Sequence, residues 1–199
     1  SIFIFGDSLN PDGFSFKTNL EGDVSEISKL VSSQYSFAAL YSDGSVEQFG
    51  AMLTPYLYSD APIERFEDQL NSDVVDLLAV SDGFAAVKND GSVVTWGSSD
   101  FDFPSTNPID PFYEFLSNDV ANIYQSKYDF LAVKDDGSYL EWGGFASSKQ
   151  NGAGGWIDAP ENLLDGKIVS NSHAFAILHD DGSVDTWGVS DRGGAVSYT

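Results

Sequence analysis

Four kinds of side chain in this 199-residue sequence could carry chemistry: a serine in Gly6-Asp7-Ser8, two histidines, aspartates that recur before glycine, and aromatic residues set among prolines and glycines. Ser8 could attack an acyl carbon if a base took its proton and a third group oriented that base. His173 and His179 are the only imidazoles, and no second histidine falls in register with either, so a zinc site is not expected. Cysteine is absent, which excludes a thiol nucleophile, a thiolate metal site and a disulfide framework. Asp100, Asp102 and Asp110 could gather around calcium, but they lack the spacing of a calcium loop. No metal or cofactor is therefore expected.

What would have to position any of these groups is a repeat. A fourteen-residue block recurs without a gap at 37–50, 84–97, 130–143 and 175–188, reading FAALYSDGSVEQFG, FAAVKNDGSVVTWG, FLAVKDDGSYLEWG and FAILHDDGSVDTWG. The blocks open on Phe37, Phe84, Phe130 and Phe175, keep an aliphatic residue fourth and Asp-Gly-Ser in the middle, and end on Phe49, Trp96, Trp142 or Trp187 before a glycine. Successive block ends lie 47, 46 and 45 residues apart. A second landmark, Leu-x-x-(Asp/Lys)-(Val/Ile), precedes each block at 20–24, 70–74, 116–120 and 164–168. Each unit thus reads as a leading strand, a hairpin and an exit segment.

The block itself predicts a β-hairpin, in which glycine accepts the positive φ that a primed Asp-Gly turn demands. Asp43-Gly44, Asp90-Gly91, Asp136-Gly137 and Asp181-Gly182 share one turn phase, so their carboxylates are expected to hydrogen-bond within the turn and not to catalyse. The aromatic residues at 49, 96, 142 and 187 read as packing between layers. Apolar residues on both faces of the opening strand, as in Phe84-Ala85-Ala86-Val87, predict a strand covered on two sides, which a lone hairpin cannot achieve. Between blocks the chain is variable and carries the prolines, and 63–70 and 112–116 have the apolar spacing of short helical turns.

The expected fold is all-β, a propeller-like tandem repeat of four full units of about 46 residues plus a partial N-terminal copy. One repeat domain is expected over 1–199: the partial copy 1–19, units 20–50, 51–97, 98–143 and 144–188, and a closing segment 189–199. Nine Lys and Arg against 31 Asp and Glu give a formal net charge of −22, which repels phosphate-rich partners and argues against nucleic acid. No apolar run approaches the roughly 20 residues that cross a bilayer, so membrane insertion is not expected. No basic-then-apolar leader opens the chain, and its start at Ser1 reads as a processed protein or a domain cut from something longer.

The phrase HAFAILHDDGSVDTWG at 173–188, with the other three copies, resembles the blade core of the regulator-of-chromosome-condensation repeat family, over about 20–188. The resemblance implies a β-propeller and a structural role for His173. That family includes exchange factors for small GTPases, but no residue here maps onto such a surface. The opening Phe5-Gly6-Asp7-Ser8-Leu9 resembles the nucleophile block of GDSL-type esterases. Those enzymes place histidine three residues after an aspartate, whereas Ser170 and Ala176 stand three before His173 and His179. Phe5-Gly6 also falls in phase with the aromatic-glycine block ends, 44 residues before Gly50, so Ser8 is read as part of a repeat strand.

The functional expectation is a non-catalytic binding or assembly module, extracellular or at the cell surface, whose variable segments meet a protein or glycan, with self-association as its structural variant. Trp156, Tyr56, Tyr58, Phe101 and Phe103 are the candidate ligand-binding residues, joined by Phe112 and Tyr113, because no repeat logic requires aromatic rings there. The alternatives are a propeller-borne hydrolase or lyase and, by fold analogy alone, a regulator of a small GTPase.

Overall fold

Each block folds back so that its first and thirteenth residues face each other. The computed structural model describes residues 16–17, 23–34, 36–51, 67–97, 111–144, 156–157, 159–194 and 197–198. In register, Phe37 stands opposite Phe49, Phe84 opposite Trp96, Phe130 opposite Trp142 and Phe175 opposite Trp187. The ring centroids of these pairs are 5.4, 5.4, 5.2 and 5.5 Å apart, within the range of favourable aromatic contact. This cross-strand pair is the reason for the two aromatic columns.

Around each pair stands one antiparallel sheet. The first repeat comprises β1 (Phe16–Lys17), β2 (Ile27–Ser32), β3 (Ser36–Tyr41) and β4 (Val46–Ala51), in the order β1-β4-β3-β2. The second is β5 (Val74–Val80), β6 (Gly83–Lys88) and β7 (Val93–Gly97), and the third β8 (Val120–Gln125), β9 (Asp129–Lys134) and β10 (Tyr139–Gly143). The fourth contains β11 (Trp156–Ile157), β12 (Gly166–Ser170), β13 (Ala174–His179), β14 (Val184–Val189) and β15 (Ser197–Tyr198). Both β11 and β15 pair with β14, at opposite ends of its outer edge. Phe16–Lys17 thus belongs to the sheet of the first full unit. Short helix α1 (Glu67–Leu70) falls within the stretch 63–70, and α2 (Pro111–Leu116) covers the stretch 112–116 and starts one residue earlier.

The Asp-Gly turns differ from the primed geometry expected. Glycine alone takes positive φ, at 82, 78, 82 and 89° for Gly44, Gly91, Gly137 and Gly182, whereas a type I′ turn needs it at both central residues. Gly44 N donates to Tyr41 O at 3.0 Å and Tyr41 N to Ser45 O at 2.9 Å, and the third and fourth repeats repeat both bonds. This is a type I turn followed by a left-handed glycine. Asp43 Oδ1 accepts from Ser45 N and Ser45 Oγ at 2.9 and 2.6 Å, and Asp90 and Asp181 do likewise with Ser92 and Ser183. The serine of Asp-Gly-Ser therefore has its own structural cause.

The leucine landmark holds in two repeats and slips in the others. Asp73 and Asp119 adopt left-handed φ of 66 and 55°, and Val74 and Val120 then start β5 and β8 above the buried Leu70 and Leu116. In the fourth repeat Ile168 is instead the third residue of β12, and Leu163, not the exposed Leu164, is buried. In the first, Val24 lies in a 3₁₀ turn before β2. The motif sits ten residues before the block only in the second and third copies, so the similarity elsewhere is out of phase.

The chain divides into two units, one of residues 1–89 and 93–99, the other of 90–92 and 100–199. In the first unit, Ala38, Leu40, Val31 and Val46 on one face of the first sheet pack with Leu77, Phe84, Ala86, Val94 and Trp96 of the second repeat. In the second unit, Leu131, Val133, Tyr124 and Tyr139 of the third sheet pack in the same way with Ile168, Phe175, Ile177 and Trp187 of the fourth. In β6 and β9 the opening strand of the block is buried on both faces, with Phe84, Ala85 and Ala86 and then Phe130, Leu131 and Ala132 all at 0% exposure.

Candidate ligand-binding site

The first and second strands of each repeat are joined by tight turns at the end of the sheet opposite the Asp-Gly loops. In the second unit each turn is closed by its first residue. Ser126 N donates to Asp129 O at 2.7 Å, and Ser126 Oγ accepts from Tyr128 N at 3.1 Å and Asp129 N at 2.8 Å. Asn171 N donates to Ala174 O at 2.9 Å, while its Oδ1 accepts from His173 N and Ala174 N. Ser170 Oγ donates to Gln125 O at 2.5 Å and ties the two turns together.

These turns bring four side chains into one group. Asn171 Nδ2 donates to Arg192 O at 2.9 Å, which fixes the 3₁₀ turn Ser190–Arg192. Arg192 Nη1 then lies 3.3 Å from His173 Nε2. The His173 ring packs on Tyr128 with centroids 5.1 Å apart, and the Lys127 ammonium sits 4.9 Å from the centre of the Tyr128 ring. Burial, followed by the positive charges of Arg192 and Lys127, holds the His173 imidazole below its ordinary pKa, with Asp191 opposing. A guanidinium only donates, so Nε2 accepts from it and the ring proton of the neutral imidazole resides on Nδ1, 2.6 Å from Ser172 Oγ. In that tautomer His173 donates to Ser172 and does not take its proton.

The group sets an ammonium and a guanidinium beside two aromatic rings, with the Arg192 side chain 55% exposed and its Nε 4.0 Å from Asp191 Oδ1. An ammonium and a guanidinium beside aromatic rings are groups that could hold an oxyanion through charge-assisted hydrogen bonds. In the first unit the corresponding turns are neutral where they meet: Gln34 N donates to Ser81 O at 2.8 Å and Ser81 Oγ to Gln34 Oε1 at 3.0 Å.

Of the residues singled out in the sequence, Tyr56, Tyr58, Phe101, Phe103 and Ser8 lie outside the described residues, as do Asp100, Asp102 and Asp110. Trp156 opens β11, which pairs with Val189 and Gly188 of β14. His179 Nε2 lies 3.0 Å from Asp185 Oδ2 on the neighbouring strand. Among the described residues, no three His, Cys, Asp or Glu side chains come together as a metal site would require. Lys127, Tyr128 and Arg192 went unremarked in the sequence. The signal lay just before the block, where the four copies read Gln34-Tyr35, Ser81-Asp82, Lys127-Tyr128 and Ser172-His173, and only the third sets a cation beside an aromatic ring.

No protein-family model matches the chain, and no curated protein matches it. Among solved structures, the entire ectodomain of the receptor kinase CR4 from Physcomitrella patens matches over 81% of this chain and 40% of its own, at 16% identity and a TM-score of 0.50. The structure of Kap60 bound to yeast RCC1 (Prp20) matches over 81% and 42%, at 18% identity and a TM-score of 0.50. The CRINKLY WD40 ectodomain of the Arabidopsis thaliana receptor kinase ACR4 matches over 81% and 49%, at 18% identity and a TM-score of 0.49. The chain spans less than half the length of each of these. Together with the strand order, the first two show an all-β, propeller-like repeat fold.

Proposed function

We propose that this chain is a non-catalytic binding module that takes carboxylate-bearing segments of a protein partner on the turns of its third and fourth repeats. The observation that supports this reading is the Lys127–Tyr128–His173–Arg192 group. A chain with nine basic residues and a net charge of −22 sets two of them together, Lys127 over the Tyr128 ring and Arg192 at the edge of His173, on turns braced by Ser126 and Asn171. The yeast protein RCC1, whose complex matches in fold, is bound to the protein Kap60 in that structure, and a protein partner is proposed here too. Trp156, Tyr56, Tyr58, Phe101 and Phe103 are kept as proposed contact residues on the sequence argument alone, since no repeat logic requires aromatic rings there. A place outside the cell or at its surface suits the acidic exterior, and no helix among the described residues is long and apolar enough to cross a membrane. Self-association is proposed as a second use of the same scaffold.

The test is binding of the full chain to poly-glutamate and to a polyuronate, as salt is raised. Affinity for poly-glutamate is expected to fall with salt and to drop at least about tenfold when Lys127→Ala and Arg192→Ala are combined, the loss of two charge-assisted bonds. Binding that is indifferent to both substitutions removes the site from the reading, and preference for the polyuronate replaces the protein partner with a glycan.

A further inference from the structure

In both units the repeats stack by one rule. The face of a sheet that carries the fourth block residue packs against the face of the next sheet that carries the first block residue and its aromatic partner. Leu40 with Val31 meets Phe84, Leu77 and Trp96 in the first unit, and Val133 with Tyr124 meets Phe175, Ile168 and Trp187 in the second. At those joints Leu40 is 4% exposed, Val133 1%, Phe84 and Leu77 0%, Phe175 2% and Ile168 7%.

The first and fourth repeats keep the same apolar columns, and there the residues that the joints bury elsewhere stand exposed. Leu178 is the register equivalent of Leu40 and Val133, and Val169, opposite Ala176, is the equivalent of Val31 and Tyr124. They are 51 and 54% exposed. At the other end of the series Phe37 is the equivalent of Phe84 and Phe175, and Leu30, opposite Ala39, the equivalent of Leu77 and Ile168. They are 36 and 49% exposed, although Ala39, Tyr41 and Phe49 on that face are already buried. The exposed set on the fourth sheet is therefore what a first-block-residue face covers elsewhere, and the exposed set on the first sheet is what a fourth-block-residue face covers.

We propose that the fourth repeat of one copy docks on the first repeat of a second copy, so that Val169 and Leu178 of one chain lie against Leu30 and Phe37 of the other. The occupant follows from the repeat joints themselves, which show twice which face seats on which. The contact is head-to-tail, so it leaves one free face of each kind on a dimer and extends to a ring or a filament. This rests on the self-association half of the proposed function and is independent of the oxyanion site. Two chains of net charge −22 repel, so association strengthens as salt screens them.

The experiment is sedimentation equilibrium of the full chain at rising concentration and salt, with Leu178→Asp and Leu30→Glu, both at exposed positions where circular dichroism is expected to match the parent. The parent is expected to exceed the 21.5 kDa of one chain, and each variant alone to sediment as a monomer. An equimolar mixture of the two variants is expected to form a dimer, since each supplies the intact face that the other lacks. A monomeric parent at all salts overturns the proposal, as does a mixture that stays monomeric while the parent assembles. Poly-glutamate binding is measured on the same samples: if it persists in a monomeric parent, the docking has failed and the oxyanion reading stands.

Discussion

The two units share a register and differ in chemistry at one end. At the strand-to-strand turns, Gln34 and Ser81 in the first unit satisfy each other with neutral hydrogen bonds, while Lys127, Tyr128, His173 and Arg192 in the second present charge and aromatic rings. The aromatic pairs differ too. Trp96 Nε1 donates to Gln48 Oε1 at 2.9 Å, whereas the buried Trp187 Nε1 has no hydrogen-bond partner among the described residues. The repeat constrains which atoms must pack and leaves the turn residues free, so recognition can be placed in one unit without disturbing the sheets of either.

The largest blow to both units comes from their shared feature. Trp96→Ala and Trp187→Ala, at 2 and 0% exposure, should each cost about 3–5 kcal/mol in denaturant unfolding, because each empties a stacked aromatic site. A sharp inequality between them would mean that the units do not depend on the pair alike. The loop glycines divide the units next. Gly137→Ala meets open space and should cost about 1–2 kcal/mol for its left-handed φ alone. Gly44→Ala should cost more, since its added carbon would lie 2.8 Å from Asp73 N, on the backbone that leads into β5.

Smaller changes separate the two indoles. Trp96→Phe removes a hydrogen bond and should cost about 1 kcal/mol beyond any loss of packing. Trp187→Phe should be the milder change, since it deletes a donor that is already unsatisfied, and the phenyl ring at Phe49 shows that the position accepts one. In the charged turn, Arg192→Ala should raise the His173 pKa toward the ordinary imidazole value, read from ring-proton shifts on acidification, because a repelling cation is gone. No upward movement would place the guanidinium elsewhere in solution.

Acid should act on the Asp-Gly loops of both units. Asp43, Asp136 and Asp181 are held below the ordinary carboxylate pKa, first by the side-chain hydrogen bond from the following serine and then by its backbone N–H. Their contribution is complete above the unfolded value near 4 and is lost as pH falls through the lower folded values. Asp43→Asn should flatten that part of the stability profile, a small effect because the carboxylates are fully exposed.

The repeat, its hairpins and the aromatic columns were legible because a stacked cross-strand pair and a left-handed glycine admit few residue types. The turn class was not, since Asp-Gly suits both the primed two-residue loop and the longer loop with a left-handed glycine, and only the backbone decides between them, with positive φ at the glycine alone and Tyr41 N donating to Ser45 O. The leucine landmark misled at 164–168 because Leu163 and Leu164 are adjacent and sequence alone does not tell which is turned inward. The Lys127–Tyr128–His173–Arg192 group was hidden for a different reason. Lys127 and His173 lie 46 positions apart, and Arg192 joins them only through a side-chain bond from Asn171 to its carbonyl.

The outer edge of β14 is held at one end by β11 and at the other by β15, two residues each. Under tension applied from the C-terminal side, β15 parts from Val184 and Asp185 by peeling, one bond at a time, while β11 keeps its grip on Gly188 and Val189. The fourth sheet is therefore expected to give up β15 before the stacked Phe175–Trp187 pair bears load, which force spectroscopy would read as a small first step.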